Sequence, residues 1–211
     1  MDGIIFDIDG TLWDSRASVA AAWDAAIFET CGIEKHLTKE DMTPLFGRTT
    51  IDIERLLFEG DDLPQTLQDK AMAYALKKEN EHLYEEPGIL YEGVREMLKA
   101  LSEKYPLFIV SNCDDGYIDA LLDTTGLREY FKDYMCFSDT MQPKEVNLKI
   151  IAERNGITSP IYVGDTQGDL NSCKKAGIPM IHVTYGLGQA DHPDYRADSP
   201  AEVAALCLEK R

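Results

Sequence analysis

Short continuous apolar runs recur along the chain, and each of them ends in small or polar residues. Four runs show the pattern clearly: "GIIFD" (3–7), "PLFIVSN" (106–112), "PIYVGD" (160–165) and "PMIHV" (179–183). Apolar runs of this length, without alternation, are typical of strands buried on both faces. A weaker fifth strand is predicted at "DYMCF" (133–137).

Helical patterns separate these predicted strands. They are "YEGVREMLKALSEKY" (91–105), "EVNLKIIAERNG" (145–156) and "DLNSCKKAG" (169–177), and Gly156 and Gly177 stand where helices usually end. Strands that alternate with helices predict an α/β fold with a doubly wound, Rossmann-like parallel sheet. In such a fold, ligands bind at the carboxyl ends of the strands.

Residues 15–86 interrupt this alternation and read as helical throughout. The stretch "RASVAAAWDAAIFETCG" places Val19, Trp23 and Ile27 at helical spacing before Gly32, and "TIDIERLLFEG" and a long segment from Gln65 follow it. We therefore predict a small all-helical domain inserted after the first strand. The catalytic core would then consist of residues 1–14 and 87–211.

Composition and charge narrow the classes of partner. The formal net charge of −17 repels phosphate backbones and anionic lipids, so we expect neither nucleic acid nor membrane as a partner. The five cysteines form no CxxC pair, and no apolar stretch approaches the roughly 20 residues that span a bilayer. With no apolar leader before the first strand, these features predict a cytoplasmic protein with reduced thiols.

Polar side chains follow the predicted strands where each strand ends. They are Asp7 and Asp9 after the first strand, Ser111 and Asn112 after the second, Lys144 after the weak strand, and Asp165 and Asp169 after "PIYVG". Because these strand ends share one edge of a parallel sheet, we expect the side chains to converge. Four carboxylates in one cleft repel each other unless a cation joins them, and hard oxygen ligands favour Mg²⁺.

With these residues in view, the sequence resembles the haloacid dehalogenase superfamily, in its branch of phosphoglycolate phosphatase-like hydrolases with a helical cap. The resemblance extends over nearly the whole chain. Its four motifs occur in order as "DIDGT" (7–11), "SN" (111–112), Lys144 and "GDTQGD" (164–169). Each motif alone is weak, whereas four in order at strand ends are a strong signal.

The resemblance implies a phosphatase mechanism. Asp7 would attack phosphorus and form an aspartyl phosphate, and Asp9 would act as the general acid and then the general base. Ser111 and Lys144 would hold the phosphoryl oxygens, with Thr11 and Asn112 as further phosphate-binding residues. The metal ligands would be Asp7, the Asp9 carbonyl and Asp165, and Asp169 would ligate Mg²⁺ or orient its waters.

Two positions keep a competing interpretation. Lys149 lies on the same predicted helix as Lys144, although Lys144 matches the family pattern better. Arg48, in "FGRTT", is a candidate substrate contact of the cap or an ordinary surface arginine. "YGLGQ" (185–189) lacks the full dinucleotide fingerprint and is interpreted as a loop.

Other functions of the same fold stay open. Asp9 and the Asp165 and Asp169 pair argue against carbon–halogen hydrolysis, and Asp9 argues against phosphonate cleavage. Sugar phosphomutases with this cap type carry a histidine where this chain has Val19, which favours hydrolysis. A non-catalytic phosphate-binding regulatory module is the alternative from another class. We expect a small phosphorylated metabolite as substrate. Phosphoglycolate is the first candidate, followed by pyrophosphate, sugar phosphates and nucleoside monophosphates. The sequence does not indicate the oligomeric state.

Overall fold

A six-stranded parallel sheet forms the centre of the computed structural model, which describes residues 1–209. The order of strands across it is β5-β4-β1-β6-β7-β8, and a separate antiparallel pair joins β2 to β3. The strands are β1 (Gly3–Phe6), β2 (Trp13–Asp14), β3 (Ile89–Leu90), β4 (Leu107–Val110), β5 (Phe131–Met135), β6 (Pro160–Gly164), β7 (Met180–Val183) and β8 (Tyr195–Ala197).

Helices cover both faces of this sheet. Ile4 and Phe6 of β1 belong to one apolar cluster and Ile5 to another, because alternate side chains of a strand point to opposite faces. The doubly wound α/β architecture is thereby confirmed. The helices are α1 (Arg16–Cys31), α2 (Lys39–Met42), α3 (Thr50–Leu57), α4 (Gln65–Glu85), α5 (Val94–Ser102), α6 (Tyr117–Thr125), α7 (Lys144–Arg154), α8 (Gln167–Ala176) and α9 (Pro200–Glu209).

The predicted elements differ from the observed ones mainly at their ends. The weak strand prediction at 133–137 was displaced, since β5 begins at Phe131 and ends at Met135. The helix predicted over 91–105 is shorter, because it begins after Gly93, which has a φ of 86°. The sequence analysis did not single out α6, α9, β8 or the short β2–β3 pair. The two strands of that pair come from distant segments of the chain.

The four helices α1 to α4 form the segment that we call the cap. The chain leaves the sheet region through β2 and returns through β3, and these two strands pair with each other. Buried residues of α1 and α4, such as Trp23, Ile27 and Met72, belong to the same apolar cluster as Leu121 of α6. The domain boundaries at 15 and 86 stay a prediction. Within residues 1–209, no helix is long and apolar enough to cross a membrane.

Candidate active site

The nucleophile candidate and the cation candidate meet at the carboxyl end of the sheet. Asp7 follows β1 directly and is buried, and the Nζ of Lys144, at the start of α7, lies 3.1 Å from its Oδ1. Burial by itself would lower the pKa of Lys144, but the carboxylates of Asp169 and Asp7 outweigh burial and raise it. Lys149 is exposed on the same helix. The lysine beside Asp7 is therefore Lys144 rather than Lys149.

Asp169 fixes the position of that ammonium group. Its Oδ1 accepts hydrogen bonds from Lys144 Nζ (2.6 Å) and from the hydroxyl of Tyr162 (3.2 Å). Its Oδ2 accepts from the amide (3.1 Å) and the hydroxyl (2.6 Å) of Thr166, in the capping box that begins α8. Since both oxygens of Asp169 are engaged by protein donors, its geometry suits holding Lys144 in position. Direct metal ligation by Asp169 stays a prediction.

Asp165, just beyond the end of β6, is held by a loop whose role the sequence did not indicate. Its Oδ2 accepts hydrogen bonds from the amides of Leu187 (2.7 Å) and Gly188 (2.9 Å), both within "YGLGQ". A Cβ on Gly186 would lie 2.3 Å from the carbonyl oxygen of Gly10. The two glycines of this loop are therefore required for its close approach, and their spacing was the available signal.

The carboxylates of Asp7, Asp165 and Asp169 form a group that fits a metal ion. One oxygen from each lies within 4.8 Å of the others, and all three residues are buried. The Oδ1 of Asp165 is buried without a hydrogen-bond partner. Burial and the neighbouring Asp169 and Asp7 raise the pKa of Asp165 to about 8. A divalent cation would satisfy the unpartnered oxygen and offset the mutual repulsion, so the donor set suits a hard cation.

Asp9 is held by three donors that all reach the same oxygen. Its Oδ1 accepts hydrogen bonds from Trp13 Nε1 (3.0 Å), Ser15 Oγ (2.9 Å) and the hydroxyl of Tyr117 (2.7 Å). Because Oδ1 is saturated, a proton on this carboxyl group belongs on Oδ2. Burial raises the pKa of Asp9 to about 7, although the hydrogen bond from Tyr117 opposes this shift. A carboxyl group with a pKa near neutrality suits both proton donation and proton acceptance.

Tyr117 contacts Asp9, and sequence reasoning did not single it out. It begins α6, and its hydroxyl also lies 2.6 Å from Ser15 Oγ, so both groups orient Asp9 together. Tyr117 is separated from Asp9 by 108 positions and belongs to no motif, and only the fold brings them together.

We expect Tyr117→Phe to lower kcat about 10-fold on alkyl phosphates while changing KM little, because one hydrogen bond that orients the acid is lost. The loss should be smaller for p-nitrophenyl phosphate, whose leaving group needs less protonation. Tyr84→Phe removes an exposed hydroxyl that donates to Asp123 (3.2 Å) and serves as the control. Equal losses in the two variants would contradict the orienting role of Tyr117.

A cavity between the cap and the sheet contains several of the predicted residues. It contains about 490 Å³ not filled by protein atoms, a figure that includes open solvent. Asn112 connects its two sides, because its Nδ2 donates to the carbonyl of Gly47 in the cap (2.9 Å). Thr11 is buried in the loop after β1 but is not among the lining residues. The predicted site residues that line the cavity are Asp7, Asp9, Arg48, Ser111 and Asn112.

Comparison with known proteins agrees with this architecture. The family model of the haloacid dehalogenase-like hydrolases matches residues 4–183, most of the chain. The chain belongs to this family. Among the haloacid dehalogenase-like hydrolases, it is 30% identical to a phosphoglycolate phosphatase of Vibrio vulnificus strain YJ016, over 97% of this chain and 95% of that protein. It is 27% identical to the phosphoglycolate phosphatase of Escherichia coli K12, over 91% and 84% of the two chains.

Solved structures of other proteins share the fold. A protein of Haemophilus somnus 129pt, described as a predicted phosphoglycolate phosphatase, superposes with a TM-score of 0.87 at 19% identity over 98% of each chain. CbbY from Rhodobacter sphaeroides, in complex with phosphate, gives a TM-score of 0.79 at 20% identity over 96% of each chain. At these identities the likeness concerns the fold alone.

Proposed function

We propose that this haloacid dehalogenase-like hydrolase is a magnesium-dependent phosphatase that hydrolyses a small phosphorylated metabolite through a phosphorylated Asp7. One observation carries the proposal: the buried Asp7 carboxylate lies 3.1 Å from a buried ammonium group, in a site shared with an acid whose second oxygen is left for proton transfer. An attacking oxygen, a cation for the phosphoryl group and a proton donor are the groups that phosphate ester hydrolysis needs.

The first step forms a bond between an Asp7 oxygen and phosphorus and breaks the bond from phosphorus to the leaving oxygen. Asp9 gives the proton on its Oδ2 to that leaving oxygen, while Oδ1 stays held by its three donors. Lys144 and Ser111 stabilise the charge that develops on the phosphoryl oxygens. Dividing the reaction in this way replaces one slow displacement by two faster ones.

The second step removes the phosphoryl group from Asp7. Asp9, now deprotonated, takes a proton from a water molecule, whose oxygen attacks phosphorus. The bond between Asp7 and phosphorus breaks, inorganic phosphate forms, and Asp9 is protonated again. The same oxygen of Asp9 serves both steps, and this is why its fixed orientation matters.

The residues that would hold the metal are Asp7, the Asp9 carbonyl and Asp165, and Asp169 would either ligate it or orient its waters. When bound, Mg²⁺ supplies positive charge that offsets the repulsion between the Asp7 carboxylate and the phosphoryl group. The protein contributes buried oxygens, one of which has no other partner, at the Oδ1 of Asp165.

One residue of the cavity wall favours hydrolysis over transfer of the phosphoryl group to a second sugar. Val19 lines the cavity and offers an apolar side chain, where the phosphomutases of this fold carry a histidine. The relatives named phosphoglycolate phosphatase support a small leaving group, and phosphoglycolate is the comparison substrate for any assay.

Removal of metal provides the direct test. Excess chelator should abolish the release of phosphate from p-nitrophenyl phosphate, and Mg²⁺ should restore it. Ca²⁺ should not restore it, since its longer and looser coordination misplaces the phosphoryl group. Full activity in excess chelator would refute the magnesium-dependent mechanism, and thermal melts with and without the chelator would show whether the fold survives.

A further inference from the structure

Glu79 of the cap is a buried carboxyl group that the proposed mechanism does not use. It is 6% exposed, and it lines the cavity that also contains Asp9. Trp23 Nε1 donates a hydrogen bond to its Oε2. No other side chain or amide of residues 1–209 is found donating to the second oxygen, Oε1. Burying a carboxyl group is costly, so a half-satisfied one in a cavity wall indicates a ligand contact.

The other carboxyl groups that line the cavity are already engaged. Asp114 accepts hydrogen bonds from Ser138 through Oδ1 and from Thr50 of the cap through Oδ2. Asp7 is paired with Lys144, and Asp9 has its Oδ1 saturated. Glu79 therefore differs from them, since one of its oxygens is available and no step of the proposed reaction requires it.

The neighbours of Glu79 are acidic. Burial raises its pKa, the hydrogen bond from Trp23 opposes the shift, and the nearby Asp9 and Asp114 raise the pKa further. The remaining wall near the cap includes Phe46, Ile53 and Leu76, which are apolar. A carboxylate on the leaving group would enter this acidic surrounding at a cost, whereas a neutral hydroxyl would not.

We propose that Glu79 is a specificity-determining residue that accepts a hydroxyl group of the leaving group, so that the preferred substrates are phosphate esters of polyols or sugars. The inference rests on the proposed phosphatase activity. Asp9, which would protonate the leaving oxygen, and Glu79 line the same cavity, so a leaving group bound in it would face both. A hydroxyl both donates and accepts hydrogen bonds, and it matches Glu79 whether the carboxyl group is ionised or neutral.

Arg48 provides the competing possibility. It lines the same cavity, but the residue is exposed and its Nε already donates to the carbonyl of Pro44 (2.7 Å). If Arg48 rather than Glu79 governs recognition, a carboxylate-bearing leaving group should be preferred. The choice between these two residues is therefore measurable as a choice between two substrates.

The experiment compares kcat/KM for four phosphates that share a two-carbon leaving group: 2-hydroxyethyl, ethyl and 2-aminoethyl phosphate, and phosphoglycolate. We expect the hydroxyethyl ester to exceed the ethyl ester about 10-fold or more, since a site built around a hydroxyl rejects the analogue that lacks it. It should also exceed phosphoglycolate and the amine. Preference for phosphoglycolate or for the amine, or equal rates for the hydroxyethyl and ethyl esters, would overturn the inference.

Variants assign the preference to Glu79. In Glu79→Leu the ratio of hydroxyethyl to ethyl phosphate should fall about 10-fold, and Glu79→Gln, which keeps hydrogen-bonding atoms, should retain most of it. The ratio is taken within one preparation, so a partly folded fraction cancels. Glu81→Gln, two positions along α4 with a side chain 52% exposed, is the matched control and should keep the ratio. An unchanged ratio in Glu79→Leu would overturn the role of Glu79, whereas absence of turnover on all four esters and on p-nitrophenyl phosphate would refute the phosphatase activity itself.

Discussion

Replacement of Asp7 by asparagine should reduce turnover by about 10⁴-fold or more on every phosphate ester, since an amide cannot serve as the attacking oxygen. The fold should survive. Burial raises the pKa of Asp7 to about 6, with Asp169 adding to the shift and Lys144 opposing it. Because the pKa of Asp7 is raised in the folded state, ionising Asp7 lowers the free energy of unfolding, and this loss is complete once the pH exceeds that pKa. The neutral amide of asparagine avoids the loss, so Asp7→Asn should not lower Tm at neutral pH.

The measurement combines steady-state rates, thermal melts and the mass of the protein during turnover. Wild-type protein quenched during turnover should contain a fraction that is heavier by one phosphoryl group, and Asp7→Asn should contain none. Asp191→Asn, at an exposed aspartate outside the cavity, controls for the loss of one charge. Substantial turnover in Asp7→Asn would mean that another residue is the nucleophile.

Asp9→Asn is expected to have the second largest effect, and the size should depend on the leaving group. The amide oxygen of asparagine accepts the hydrogen bonds from Trp13, Ser15 and Tyr117 as the carboxylate does, so the geometry is preserved while proton transfer is lost. Alkyl phosphates, whose leaving alkoxide needs a proton, should react about 10² to 10⁴-fold more slowly. p-Nitrophenyl phosphate should lose less in the first step, since its leaving group departs without protonation.

The second step distinguishes a proton carrier from a structural residue. Without a base to activate water, phosphorylated Asp7 should accumulate, and a burst of nitrophenol should precede a slow steady state. Rapid-mixing measurements on the two substrate types would record both effects. Small and equal losses on both, without a burst, would show that Asp9 only shapes the turn after β1.

Much of the fold could be predicted because its signals are local. Continuous apolar runs identified β1, β4, β6 and β7 to within two residues at each end, since strands buried on both faces need apolar side chains at every position. Helical spacing of apolar residues identified α1, and helical stretches were also predicted at α4 and α7. The edge strand β8, which pairs with β7, was missed because its sequence, "YRA", is short and largely exposed.

The candidate site also has a part that the sequence could predict and a part that it could not. Asp7, Asp9, Asp165 and Asp169 follow strand ends closely and Lys144 begins the helix after β5, so the chain order and the rule for parallel sheets predicted that they converge. Their individual partners were not predictable. The family pattern favoured Lys144 over Lys149, but only the structure shows that Lys144 is buried beside Asp7 and that Arg48 lines the cavity.

By itself, the sequence determined the alternation of strands and helices, the helical insertion and the residue types at the strand ends, because periodicity and backbone propensity depend on near neighbours. The tertiary structure decided which distant side chains contact one another at the site. Tyr117 reaches Asp9 across 108 positions, and the amides of Leu187 and Gly188 reach Asp165 across 22 and 23. Glu79 lines the cavity only because α4 packs against α1 and α6. Such contacts depend on how distant segments pack together, and no local pattern in the sequence records them.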